Sequence, residues 1–145
     1  MINEFLSYAK KKLDVDKRLI FLYVIIYFIW GMGMDWFGSV VEIARFTYWW
    51  QVITCYIVYM VPISLILRKL PFHQQYAYGL VTMCLLEFGG YTLRSSYAYP
   101  DNILDQLFSP QNFALGMALF FALYYPAGNW LVGKVYKLIY KQDAA

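Results

Sequence analysis

Four long apolar stretches, separated by short charged segments, limit what this chain can fold into more than any other feature. Residues 19–34 contain no ionisable charge, and comparable runs follow at 48–67, 76–95 and 113–133. Inside lipid each backbone N–H and C=O must be satisfied within its own segment, so such runs read as transmembrane helices. A crossing needs about 20 residues. The first run therefore extends through Asp35 to about Gly38. The expected fold is all-α: a polytopic integral membrane protein whose spans, at about 19–38, 48–67, 76–95 and 113–133, form one four-helix transmembrane bundle. Residues 1–18 are read as a cytoplasmic amphipathic segment and 134–145 as a cytoplasmic basic tail.

Composition agrees. Of 145 residues, 61% are hydrophobic and only 14% charged, where a soluble domain has roughly a quarter charged. The net charge of +3 does not point to nucleic acid, because the basic residues sit beside apolar runs and no aromatic-basic groove or binding module is visible. Cys55 and Cys84 each fall inside an apolar run and read as packing residues. The lone His73 cannot build a metal site, and no cofactor is expected. Walker, dinucleotide, HExxH and G-x-S-x-G signatures are absent from the sequence, so the chain reads as non-enzymatic.

The run starting at Leu19 is long and lacks a cleavage pattern, so it reads as a retained signal anchor rather than a cleaved leader. Before it, Phe5, Leu6, Ala9 and Leu13 recur at helical spacing with lysines on the other side, which predicts a short amphipathic helix on the membrane surface. A second one is expected in the third loop. There Asp101 can cap a helix after Pro100, and Ile103, Leu104, Leu107 and Phe108 form its apolar face. Trp30, Trp36, Phe37, Tyr48, Trp49, Trp50, Tyr136 and Tyr140 fit interfacial belts. Gly31, Gly33, Gly89 and Gly90 read as packing positions. Pro62 is expected to deform the second span, and Pro126, Gly128 and Asn129 the fourth. Ala114, Ala118 and Ala122 make a small-residue ridge suited to close helix packing.

Charge gives the direction. Of twelve Lys and Arg, all but Arg45 and Arg94 lie in the N-terminal segment, the second loop or the C-terminal tail. The positive-inside rule then puts both termini in the cytoplasm, and the expected location is a bacterial inner (plasma) membrane.

One run carries an intramembrane carboxylate. In GLVTMCLLEFGGYTLRS, Cys84, Glu87, Tyr91 and Arg94 fall on one helical stripe. A carboxylate in lipid requires a partner, a proton or a cavity. Helical rise puts Glu87 roughly 16 Å into its span and Asp35 roughly 24 Å into the first, so both belong to the outer half. The expected site is an outward-facing polar pocket, with Glu87, Arg94, Asp35 and Tyr91 binding or coupling to a ligand and Glu42, Arg45 and Asn112 at its rim. The competing reading makes Glu87–Arg94 a structural ion pair and leaves Glu42 and Arg45, three apart, pairing on a helical turn at the water interface.

The leading functional expectation is a non-enzymatic subunit or homo-oligomeric component of a membrane assembly, with the bilayer and other membrane subunits as partners. The alternative is a small homodimeric carrier of a cation, a proton-coupled solute or a lipid, using Glu87 and Asp35. A lipid-modifying enzyme is a third.

Overall fold

The computed structural model describes residues 1–140; residues 141–145, with Lys141 of the basic tail, lie outside the described residues. Helix α1 (Ile2–Leu13) is amphipathic and has no buried residue. Asp16 ends the link after it and caps α2 (Lys17–Val40), accepting a bond from the Arg18 N–H at 3.0 Å, which satisfies an N-terminal donor.

The chain then does something the apolar pattern does not suggest. Instead of continuing as helix, it turns at Glu42, which has φ 57°, and enters the strand β1 (Ala44–Phe46). Glu42 and Arg45 therefore do not share a helical turn, contrary to expectation. Strand β1 pairs antiparallel with β2 (Ser96–Ala98) from the third loop, with Arg45 opposite Tyr97. Two loops far apart in sequence are thus joined at one end of the molecule.

The second apolar run is one rod in three parts: α3 (Trp50–Ile53), a π-helical segment Thr54–Met60, and α4 (Val61–Leu67). The Val61 N–H bonds to the Tyr56 carbonyl, five residues back. Pro62 supplies the cause. It has no N–H, and its ring crowds the carbonyl four residues earlier, that of Val58. The upstream turn widens in response.

Helix α5 (Phe72–Thr92) follows. It stops short of Arg94, which leaves the helix with φ 55°; the expected third span was two to three residues too long. In the third loop α6 (Ile103–Phe108) is capped by Asn102, whose carbonyl oxygen accepts from the Leu104 and Asp105 N–H groups. Asp101, the expected cap, instead sits in the left-handed region at φ 58°. A 3-10 turn, Pro110–Asn112, leads into α7 (Phe113–Phe121) and α8 (Tyr124–Ile139). The break between them lies one turn before Pro126. The Pro126 ring would crowd the Ala122 carbonyl, and the Tyr125 N–H reaches that carbonyl in a three-residue bond of 3.4 Å.

Among the described residues three helices are long and apolar enough to cross a membrane: Lys17–Val40, Trp50–Leu67 and Phe113–Ile139. Helix α5 has 21 residues but is less apolar, with His73, Gln74 and Gln75 in its first turn and Glu87 inside.

Helix α8 packs on α2, α4 and α5, and this half holds most of the core. Tyrosines dominate it. Tyr23, Tyr27, Tyr56, Tyr124 and Tyr125 are buried. Glycines make room for them. A Cβ at Gly31 would sit 2.5 Å from the Tyr56 ring, and Gly79 and Gly128 face Tyr125 and Tyr27 as closely. The alanine ridge is also consumed within the chain: Ala118 and Ala122 are fully buried and α7 packs along α5.

Candidate functional site

At the end of the bundle that carries the two-stranded sheet, the helices separate into two groups. Helix α2 packs on α3 and the π segment, while α5 packs on α7, with α6 beside α7. Between the groups lies a cavity of about 790 Å³, within the usual range for small-molecule sites.

The cavity is built from every element near it. The inner end of the gap is bridged by Tyr59 of the π segment, whose hydroxyl donates to the Thr82 carbonyl of α5 at 2.6 Å. Met83, Tyr56 and Phe121 line the cavity above this strut. Strand β1 and the start of β2 form another wall. Helix α6 contributes Ile103, Leu104 and Leu107. It is held on α7 where Phe108 meets Gly116, whose added Cβ would lie 2.8 Å from the ring. Several lining side chains also face outward: Val58, Leu93 and Leu107 are 67%, 79% and 70% exposed. The cavity thus reaches the molecular surface past apolar side chains.

Four of the seven residues singled out in the sequence line this cavity: Asp35, Arg45, Glu87 and Tyr91. Glu87 is half-buried on α5. Among the described residues its carboxylate has no hydrogen-bond or ion-pair partner. It lies near enough to Cys55, Tyr56, Tyr91 and Tyr124 for its charge to act on all four. Tyr91 stands one turn beyond it, edge-on to Phe113 with ring centroids 5.3 Å apart. The Tyr91 hydroxyl is buried and has no hydrogen-bond partner among the described residues.

Asp35 is half-buried on α2 and accepts a bond from the Phe46 N–H at 3.2 Å. One carboxylate oxygen therefore holds β1 against α2, and the side chain still faces the cavity. Arg45 lies with its guanidinium 5.2 Å from the Tyr97 ring and 5.8 Å from the Tyr99 ring. Cation–π contacts of this kind hold the charge in place without an anionic partner.

The other three residues fall outside the cavity lining. Arg94 is exposed just beyond α5, Glu42 is exposed in the turn after α2, and the exposed Asn112 reaches Ser109 Oγ at 3.4 Å. An ion pair joins the N-terminal ammonium and Glu4, away from the cavity lining. Arg94 does not neutralise Glu87, and the structural ion pair considered for this span is not formed.

Gln51, Thr54, Tyr56 and Tyr59 also line the site and were missed by inspection of the sequence. Pro62 was their only signal, since the widened turn that carries three of them lies immediately before it. Below the cavity runs a polar chain across three helices. The Tyr23 hydroxyl donates to Asn129 Oδ1, Asn129 Nδ2 donates to Gln75 Oε1 at 2.7 Å, and Gln75 Nε2 donates to the Leu70 carbonyl at 2.7 Å. No group of three or more His, Cys, Asp or Glu side chains able to hold a metal ion occurs among the described residues.

No protein-family model, curated protein or solved structure matches the chain.

Proposed function

We propose that this is a four-span integral membrane protein that holds an amphiphilic or lipid-like ligand in the cavity beside Glu87, as a small carrier does. Helix α5 is the fourth span, lying against α7 and α8. Helices α1 and α6 lie at the two interfaces. The basic residues gather at the end opposite the sheet, so that end faces the cytoplasm of a bacterial inner membrane and the cavity belongs to the outer half.

One observation carries the reading: a carboxylate that lines a cavity and has no protein partner among the described residues. Intramembrane carboxylates are costly, and a structural one would be paired. The mouth lined by Val58, Leu93 and Leu107 gives an apolar chain a route between cavity and lipid.

The test is native mass spectrometry of the protein released from neutral maltoside micelles, alongside a Val58→Trp variant. Val58 is exposed at the mouth, so the larger ring blocks access without entering the core. Wild type is expected to retain an amphiphile adduct that the variant loses. The reading fails if both variants are released bare and neither takes up an added amphiphile.

A second reading keeps the chain as one component of an assembly. It draws on the apolar outer face of α5, where Leu80, Val81, Leu85 and Phe88 line a shallow groove. The alanine ridge no longer supports it, being covered within the chain. Here the discriminating measurement is oligomeric state in mild detergent, where a monodisperse monomer without a copurifying protein counts against assembly.

A further inference from the structure

The proposed ligand has a tail and a head, and the cavity differs sharply between the places for each. Toward the mouth the lining is hydrocarbon: Val58, Leu93 and Leu107. Deeper, the charged groups are the half-buried Glu87 on α5 and Asp35 on α2, while Arg45 on β1 lines the cavity from an exposed position. The formal balance of the lining is negative. The one cation is already stacked on Tyr97 and Tyr99, and Asp35 already accepts one backbone N–H. That leaves the Glu87 carboxylate, the second Asp35 carboxylate oxygen and the Tyr91 hydroxyl oxygen as acceptors without a hydrogen-bond donor among the described residues.

We infer that the cavity selects an amphiphile with a cationic, ammonium-type head, which binds with its N–H groups on Glu87 and Tyr91 and its apolar chain directed to the mouth. The inference rests on the ligand-binding reading above and names the class of ligand. An anionic head would place a third negative charge beside Asp35 and Glu87. An uncharged head would offer Glu87 hydrogen bonds but no counter-charge in a largely apolar chamber, where electrostatic interactions are weakly screened. An ammonium supplies the missing counter-charge and up to three donors. Asp35, from the α2 wall, adds a second negative charge to the same chamber and favours the same sign of ligand.

Two sources carry an ammonium group: the zwitterionic head of an aminophospholipid, whose phosphate carries a compensating negative charge, and a free long-chain amine. The inference concerns the head chemistry they share.

The experiment uses the full chain in neutral maltoside micelles and three probes of one chain length: dodecylamine, dodecanol and dodecanoate. Occupancy is read by native mass spectrometry as each is titrated. We expect dodecylamine to bind about fivefold or more tightly than dodecanol, since even an ion pair screened as in bulk water contributes a factor of about five in affinity, with dodecanoate weakest. Glu87→Gln keeps the side-chain shape and removes the charge. It should abolish the preference for the amine while dodecanol still binds. Val58→Trp should reduce binding of all three.

The outcomes separate the two levels of the proposal. If none of the probes binds wild type, the ligand-binding reading itself fails. If all three bind alike, or dodecanoate binds best, the cavity holds amphiphiles but the head assignment is overturned. It is equally overturned if Glu87→Gln, shown by circular dichroism to be folded, keeps the full amine preference. Lipid extraction from wild type and Val58→Trp then identifies the source. An aminophospholipid enriched only with wild type assigns the lipid head, and its absence beside tight dodecylamine binding assigns a free amine.

Discussion

Asn129 carries more of this structure than its position in an interrupted helix suggests. Its amide accepts from Tyr23 and donates to Gln75, so one side chain connects α2, α8 and α5 in the half of the bundle below the cavity. Polar bonds between helices are the recurrent adhesive of membrane bundles, though each contributes modestly. Truncation removes two at once and leaves the Tyr23 hydroxyl and the Gln75 oxygen facing a small void. Asn129→Ala should therefore destabilise the fold by about 1–2 kcal/mol, the range of two average interhelical hydrogen bonds in lipid with some relaxation. Reversible unfolding in mixed micelles measures this. Tyr23→Phe, which removes only the bond to Asn129 Oδ1 and adds no charge, should fall between if the connection is made as described. An unchanged Asn129→Ala would show that the amide is dispensable. Little at this scale was legible in the sequence. Glu87 and Asp35 stood out because charge in an apolar run is conspicuous, whereas tyrosines at helical spacing look alike whether they face lipid or core. What distinguishes Tyr23, Tyr27 and Tyr56 is a glycine or a polar atom on another helix, and that juxtaposition is not local.

Among the elements, the widened turn Thr54–Met60 has the most direct bearing on the site. It carries Tyr56, which fits against Gly31, and Tyr59, which reaches Thr82 across the floor of the cavity. Each residue of a helix turns the next by about 100°, so converting the π segment to regular α-helix would swing one of these rings away from its partner. Pro62→Ala restores the N–H that the Val58 carbonyl lacks and removes the ring that crowds it. We expect the segment to tighten. Amide exchange at residues 58–62 should then slow, while amphiphile occupancy of the cavity falls with the overall helix content unchanged. Normal occupancy together with unchanged exchange would separate the proline from the π geometry. The positions of the long helices followed from the apolar runs, with end errors of up to six residues, the largest at the end of α8. The three-part division of Trp50–Leu67 and the break before Tyr124 did not. Both prolines mark where strain arises, but how a helix relieves it (by widening upstream of Pro62, by parting one turn before Pro126) depends on the neighbours that hold its side chains.

In the whole molecule, the sheet joining the first and third loops sets the direction of every long helix. Strand β1 follows α2 and strand β2 follows α5, so α2 and α5 end at the same pole. Trp50–Leu67 and Phe113–Ile139 start there and run back. This alternation of helix directions rests on strand register rather than on charge. No property of the loops alone announces the pairing, because three-residue strands are too short to show alternation and their partners are distant in sequence. The opposite pole has its own connections. Arg68 donates to the Lys12 and Leu65 carbonyls at 2.6 and 2.7 Å, and the Tyr136 hydroxyl bonds Asp16 at 3.2 Å. Lys11 and Lys137 are exposed there, and Gln106 is exposed on α6 at the sheet pole. If the bundle crosses a membrane as proposed, these two sets face different compartments. A membrane-impermeant maleimide added to intact cells should label Gln106→Cys and spare Lys11→Cys and Lys137→Cys until the membrane is opened. The native thiols do not obscure the readout, since Cys55 is buried and Cys84 lies along the apolar groove of α5. Labelling of all three positions in intact cells would place both poles on one side and remove α5 as a spanning helix. Labelling of Lys11→Cys and Lys137→Cys alone would keep the bundle and invert it, turning the cavity and its carboxylate toward the cytoplasm, where a ligand would have to come from the inner leaflet.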